Sequence, residues 1–228
     1  THTDSSAASD VYKRQVELIN QGSLGYFLLK YGPNGNLLDA ISLSAAPFML
    51  LYDIHITDCG SVYLSGGVMG TSLFVGDTSY HDSTLADDLF TTTSAVVIKL
   101  GTGFNLEWIG KYKLQGISAF RTLVSDSNGN AYASGFYGAS LDLSEVILDG
   151  KGKAALCKFD SSGTLLKAQT STTISSYSGL AFTPDGKLAA SGMGGIVSLS
   201  GYVLPKIENT SAFHALICLL YTSPSPRD

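Results

Sequence analysis

Apolar residues in this chain fall in short runs separated by glycine-containing turns. Phe27-Leu28-Leu29, Val96-Val97-Ile98 and Ala155-Leu156-Cys157 are apolar on consecutive positions, the pattern of strands covered on both faces. Asn34-Gly35, Ser162-Gly163 and Asp185-Gly186 put glycine where a tight hairpin needs positive φ, and Asp126 and Asp160 stand where a side chain can bond the turn backbone. In one stretch this predicts strands at about 121–126, 131–136, 154–159 and 164–169.

The pattern repeats. One kernel is an apolar strand ending in lysine, a polar turn and a second apolar stretch: FLLKYGPNGNLLDA around Lys30, VVIKLGTGFNLEW around Lys99 and ALCKFDSSGTLLKA around Lys158. The other is a glycine turn followed by a strand closing on Ser-Gly: DCGSVYLSGG from Asp58, DSNGNAYASGF from Asp126 and TPDGKLAASGM from Thr183. Lys30 to Lys99 is 69 residues and Lys99 to Lys158 is 59, while Gly60 to Gly129 is 69 and Gly129 to Gly186 is 57. A further copy of the first kernel begins at Ser211, and its lysine is expected at position 218, where Cys218 stands. Four strand-like pieces per period of about sixty residues describe β-propeller blades. The expectation is an all-β chain, an incomplete β-propeller of about three four-stranded antiparallel blades in an open arc.

These kernels resemble the SBBP-type β-propeller repeat of large secreted bacterial proteins. The resemblance rests on Lys158, Phe159, Asp160, Gly163 and Leu165 in one kernel and on Asp126, Gly129, Asn130, Tyr132, Ser134 and Gly135 in the other. Gly32 and Gly101 depart from it by replacing the turn aspartate, and Ala189 by replacing the tyrosine. It implies an extracellular or cell-surface location and no catalytic residue.

The ends read differently. SSAASDVYKRQ at 5–15 and CLLYTSPSPRD at 218–228 resemble translated adapters of transposase-based sequencing libraries. GATGTGTATAAGAGACAG encodes Asp-Val-Tyr-Lys-Arg-Gln, and its reverse complement, entered one base in, encodes Cys-Leu-Leu-Tyr-Thr. Residues 1–15 and 218–228 are therefore expected to be foreign to the repeat fragment at 16–217.

Of the 228 residues 44% are hydrophobic and 14% charged, which argues against disorder. The net charge is −5 with no Lys/Arg cluster, so no nucleic-acid partner is expected. No apolar run approaches the roughly 18 residues of a membrane helix, so no membrane span is expected either. Gly-x-Ser-x-Gly, His-Glu-x-x-His and phosphate-loop motifs are absent from the sequence. The stretch at Asp126 has Ala131 and Tyr137 where a calcium loop needs glycine and an acid, which leaves a hairpin turn. Cys59 reads as a turn residue, Cys157 as a buried small hydrophobe, and Trp108, near Tyr112, as packing between units. His55 alternates with Ile54 and Ile56 as an edge or channel residue, and His214 has no local partner.

The segment 71–93 carries Asp77, His81, Asp82, Asp87 and Asp88 beside Tyr80 and Phe90. Carboxylates with an imidazole are a donor set for a divalent cation or a sugar. The competing reading is a solvated insertion loop. No cofactor and no defined metal site are expected. The leading expectation is a non-catalytic binding or structural module, whose partners are the rest of the same propeller chain and an extracellular glycan or protein. The alternative is a fragment of a propeller enzyme acting on an extracellular polysaccharide or similar substrate. An arc also leaves end faces bare, expected at Phe27 and Leu29 and around 188–197.

Overall fold

The computed structural model describes residues 16–81, 93–112, 114–115, 118–138, 140–142, 147–149, 153–194, 198–199, 202–203 and 211–217. Both adapter-like ends lie outside them. Among the described residues there are seventeen strands and no helix, and every strand pair is antiparallel.

In chain order, the first six strands are β1 (Leu24–Tyr31), β2 (Leu37–Ile56), β3 (Val62–Val75), β4 (Thr78–His81), β5 (Ser94–Leu100) and β6 (Leu106–Tyr112). The next six are β7 (Leu114–Gln115), β8 (Ala119–Ser125), β9 (Ala131–Tyr137), β10 (Ser140–Asp142), β11 (Ile147–Asp149) and β12 (Lys153–Phe159). Last come β13 (Leu165–Phe182), β14 (Leu188–Gly194), β15 (Ser198–Leu199), β16 (Tyr202–Val203) and β17 (Ser211–Ile217). The second half of β2 with β3, β5 and β6 forms a four-stranded meander. A second is formed by β8, β9, β12 and the first half of β13. The second half of β13 starts a third with β14 and β17, and β1 pairs with the first half of β2 ahead of the first meander. Among the described residues the sheets do not close into a barrel.

The four strands expected between 121 and 169 are therefore present, but the last does not end there. β13 runs on to Phe182 and passes from one meander into the next, as β2 does. The first part of the 71–93 segment is also not a loop: the end of β3 pairs with β4 as a hairpin. β17 pairs in a register that sets Leu216, not position 218, opposite Ala189, where Lys158 stands opposite Tyr132.

Among the described residues six turns share one hydrogen-bond pattern, in which the first residue's N–H donates to the fifth carbonyl and the fourth N–H to the first carbonyl; they span 32–36, 57–61, 101–105, 126–130, 160–164 and 183–187. The fourth residue has positive φ each time, and it is glycine except at Phe104, with φ of 56°. Thr57, Asp126, Asp160 and Thr183 accept the fifth residue's N–H with their side chains. Where glycine replaces that residue, at Gly32 and Gly101, the Asn36 and Asn105 side chains lie where its side chain would be.

The Ser-Gly that closes the second kernel is explained by a β-bulge. Register slips at Tyr52, Arg121 and Ser178, between Leu51 and Asp53, Phe120 and Thr122, and Tyr177 and Gly179. Opposite these slips lie Ser65-Gly66, Ser134-Gly135 and Ser191-Gly192. A Cβ at Gly66 would be driven into the Leu50 carbonyl and one at Gly135 into the Ala119 carbonyl, because the bulge bends the neighbouring backbone towards it.

Alternate residues of one strand feed different cores. In β5, Ala95 and Val97 join Tyr63, Tyr112, Phe120, Leu123 and Phe159, between the first and second meanders. On its other face Val96, Ile98 and Leu100 join Leu43, Met49 and Leu64, with Tyr26 and Leu28 of β1 packed against them. In β12, Ala155 and Cys157 belong to the first of these cores, whereas Ala154 and Leu156 pack with Tyr132, Tyr177 and Leu188. The period of two therefore distributes consecutive apolar residues to both sides of each sheet. Phe27 and Leu29 are exposed, as expected of a bare face; in the 188–197 stretch Met193 is exposed too, whereas Leu188 is buried because it points into the third core, and 195–197 lie outside the described residues.

Candidate functional site

Polar side chains of the repeat bridge adjacent meanders. The Lys30 Nζ donates to the Thr102 carbonyl at 2.8 Å and the Lys99 Nζ to the Ser161 carbonyl at 3.1 Å, so equivalent lysines reach equivalent turns one unit on. Lys99 also pairs with Glu107 at 2.8 Å and lies over the Tyr63 ring. The Trp108 Nε1 donates to the same Ser161 carbonyl at 3.0 Å, and its ring packs edge-on to Tyr63. The tryptophan is thus packing between units, as expected. Tyr63 donates its hydroxyl to the Gly129 carbonyl at 2.7 Å, and Asp53 Oδ2 accepts the Leu123 N–H at 2.8 Å on the open edge of β8.

Between the 57–61 and 126–130 turns lies a cleft of about 250 Å³, lined among others by His55, Asp58, Cys59, Lys99, Ser125 and Asp126. His55 and Tyr63 are partners across β2 and β3 and face the second meander, which places the His55 Nε2 2.9 Å from the Ser125 Oγ. Burial holds the His55 imidazole below its ordinary value of 6.5, against the pull of Asp53 and Asp58. The Cys59 thiol is lowered to about 7, first by its bond with the Thr57 hydroxyl and then by the backbone and hydroxyl of Ser61. Cys157 is the reverse case: complete burial pushes its thiol up. Cys59 and Cys157 are both free.

Asp126 serves the turn. It accepts the N–H groups of Asn128 and Asn130, the Asn130 side-chain amide and the Tyr132 hydroxyl. Among the described residues no three of His, Cys, Asp and Glu gather as metal ligands.

Asp82, Asp87 and Asp88 lie outside the described residues. Asp77 is exposed in the turn before β4, and His81 is exposed at the far end of that strand with its Nδ1 3.3 Å from the Ser72 hydroxyl. Asp77 and His81 thus flank the other residues of β4, four residue steps or roughly 13 Å of extended chain apart. The sequence reading missed the cleft because Ser125 looks like any strand residue. The available signal was a departure from the repeat: positions equivalent to His55 are Val124 and Ala181, those equivalent to Ser125 are Ile56 and Phe182, and the position of Cys59 is held by Asn128 and Asp185.

A scan against protein-family models finds no match for this chain, and a search of curated proteins finds none.

Proposed function

We propose that the chain is a binding and structural module of the β-propeller kind, similar to the SBBP-type repeats of secreted or cell-surface bacterial proteins. The observation that carries this reading is the repeated bond between units, Lys30 to the Thr102 carbonyl and Lys99 to the Ser161 carbonyl. Equivalent side chains holding equivalent turns give every unit the same relation to the next, as nearest-neighbour repeat architectures require. The bulges at Tyr52, Arg121 and Ser178 add a second recurring feature.

Further copies of the repeat are its first partners in this reading. Ile54 and Ile56 are 49% and 63% exposed on the face that carries Val62 and Leu64, whereas Leu123, the equivalent of Ile54, is 2% exposed under the first meander. A preceding unit would cover both isoleucines. The ligand is an extracellular glycan or protein held by the turns and hairpins at the rim. Chains with added copies of residues 119–182, imaged by electron microscopy and screened on glycan arrays, test this. A closed ring that binds a glycan without cleaving its glycosidic bonds is expected, and an open rod would overturn it.

The enzyme reading is favoured by one observation, the approach of His55 to Ser125 across the cleft.

A further inference from the structure

The cleft between the first two meanders contains groups that the scaffold does not require. The units elsewhere place apolar residues at the positions of both His55 and Ser125, so this imidazole–hydroxyl pair is not a packing element of the repeat. Local departures of this kind, where a repeat gives up its own rule, concentrate at functional positions. The pair is formed by two adjacent units, opens on a cleft of about 250 Å³ and has Lys99 as a nearby positive charge. With the ring proton on Nδ1, Nε2 accepts the Ser125 O–H, the arrangement of a hydroxyl nucleophile and its base.

We propose that Ser125 is a nucleophile towards short-chain acyl esters, with His55 as the general base. The Ser125 Oγ forms a bond to the acyl carbon as its proton passes to the His55 Nε2. The ester C–O bond breaks, and the departing alkoxide takes that proton and leaves as an alcohol. Water then attacks the acyl-serine, giving its proton to His55; the acyl group leaves as a carboxylic acid and the proton returns to Ser125. The cleft's volume of about 250 Å³, just below the usual range for ligand pockets, suits a short acyl chain. Burial supports the base role, since it keeps His55 unprotonated at neutral pH. The activity goes beyond the scaffold role and does not depend on it: ring closure and acyl transfer fail separately.

The test uses the full chain carrying Cys59→Asn, which removes the competing thiol and installs the residue type found at the equivalent Asn128. A fluorophosphonate probe is applied, its adduct located by peptide mass spectrometry, and p-nitrophenyl acetate hydrolysis followed from pH 5 to 8. An adduct at Ser125 is expected, with hydrolysis that is lost on acidification at a pH lower than the ordinary imidazole value of 6.5, because burial holds His55 below it. The charged groups around that ring are Asp53, Asp58, Asp126 and Lys99. Ser125→Ala and His55→Gln should each lower hydrolysis roughly 100-fold or more, with urea midpoints unchanged. His55→Val, which copies the side chain of the equivalent Val124, gives a second base-free variant should His55→Gln unfold. The proposal is overturned if Ser125 takes no adduct, if labelling and hydrolysis persist in folded His55 variants, or if the pH profile is flat.

Discussion

Lys99 in β5 and Ser161 in the turn after β12 are 62 residues apart in sequence, yet the lysine ammonium donates to the serine carbonyl at 3.1 Å. Lys99 also holds Glu107 at 2.8 Å with 13% of its side chain exposed, so it is a half-sheltered, charge-assisted contact. Lys99→Met should cost about 1–2 kcal/mol in urea unfolding, while Lys30→Met, at an exposed copy of the contact, should cost under about 1 kcal/mol. Equal losses would show that shelter does not set the strength of this contact.

Glycine is required for different reasons at two places. Gly135→Ala drives a methyl into the Ala119 carbonyl at the bulge and should cost upwards of about 2 kcal/mol. Gly35→Ala meets no atom and loses only through its φ of 75°, about 1 kcal/mol. Thermal unfolding of the two variants checks the order.

Phe104 combines a buried ring, 7% exposed, with a φ of 56°. Phe104→Ala should lose about 3–5 kcal/mol from the core. Phe104→Gly loses the same ring but relieves the backbone, and should be the more stable of the two by about 1 kcal/mol. That reverses the usual alanine–glycine order, and denaturant midpoints read it directly.

The thiols separate by pH. With Cys59 at about 7, iodoacetamide should alkylate it with a midpoint near pH 7, while buried Cys157 stays unmodified in the folded protein. Cys157, Tyr112, Tyr132 and Tyr177 are all raised, chiefly by burial. The folded state therefore holds these protons more tightly than the unfolded chain. Their stabilising contribution is complete below pH 9 and is lost as pH climbs past the ordinary values of 9.0 and 10.0. A urea midpoint that stays level between pH 8 and 11 would contradict this.

Exposed Ile54 and Ile56 lie on one face of β2, and exposed apolar surface of this kind favours self-association. Ile54→Lys with Ile56→Lys should lower light scattering without lowering the unfolding midpoint, since neither residue is buried.

Several features follow from the sequence alone. Consecutive apolar runs between glycine turns determine short strands covered on both faces, and the spacings of Lys30, Lys99 and Lys158 determine a repeated unit. These signals are local: a period of two and a positive φ act within a few residues. Tertiary structure decided the rest. Nothing at positions 165–182 announces that one strand serves two sheets, because that depends on which edge each half meets. The αL position at Phe104 was overlooked although it stands five residues after Lys99, as Gly35 and Gly163 do after Lys30 and Lys158, because a phenylalanine gives no local turn signal. Asp77 and His81 share one stretch of sequence, but the β3–β4 hairpin puts one in its turn and the other at the far end of β4. His55 and Ser125 are 70 residues apart and share no motif; only the stacking of one sheet on the next brings the imidazole to the hydroxyl.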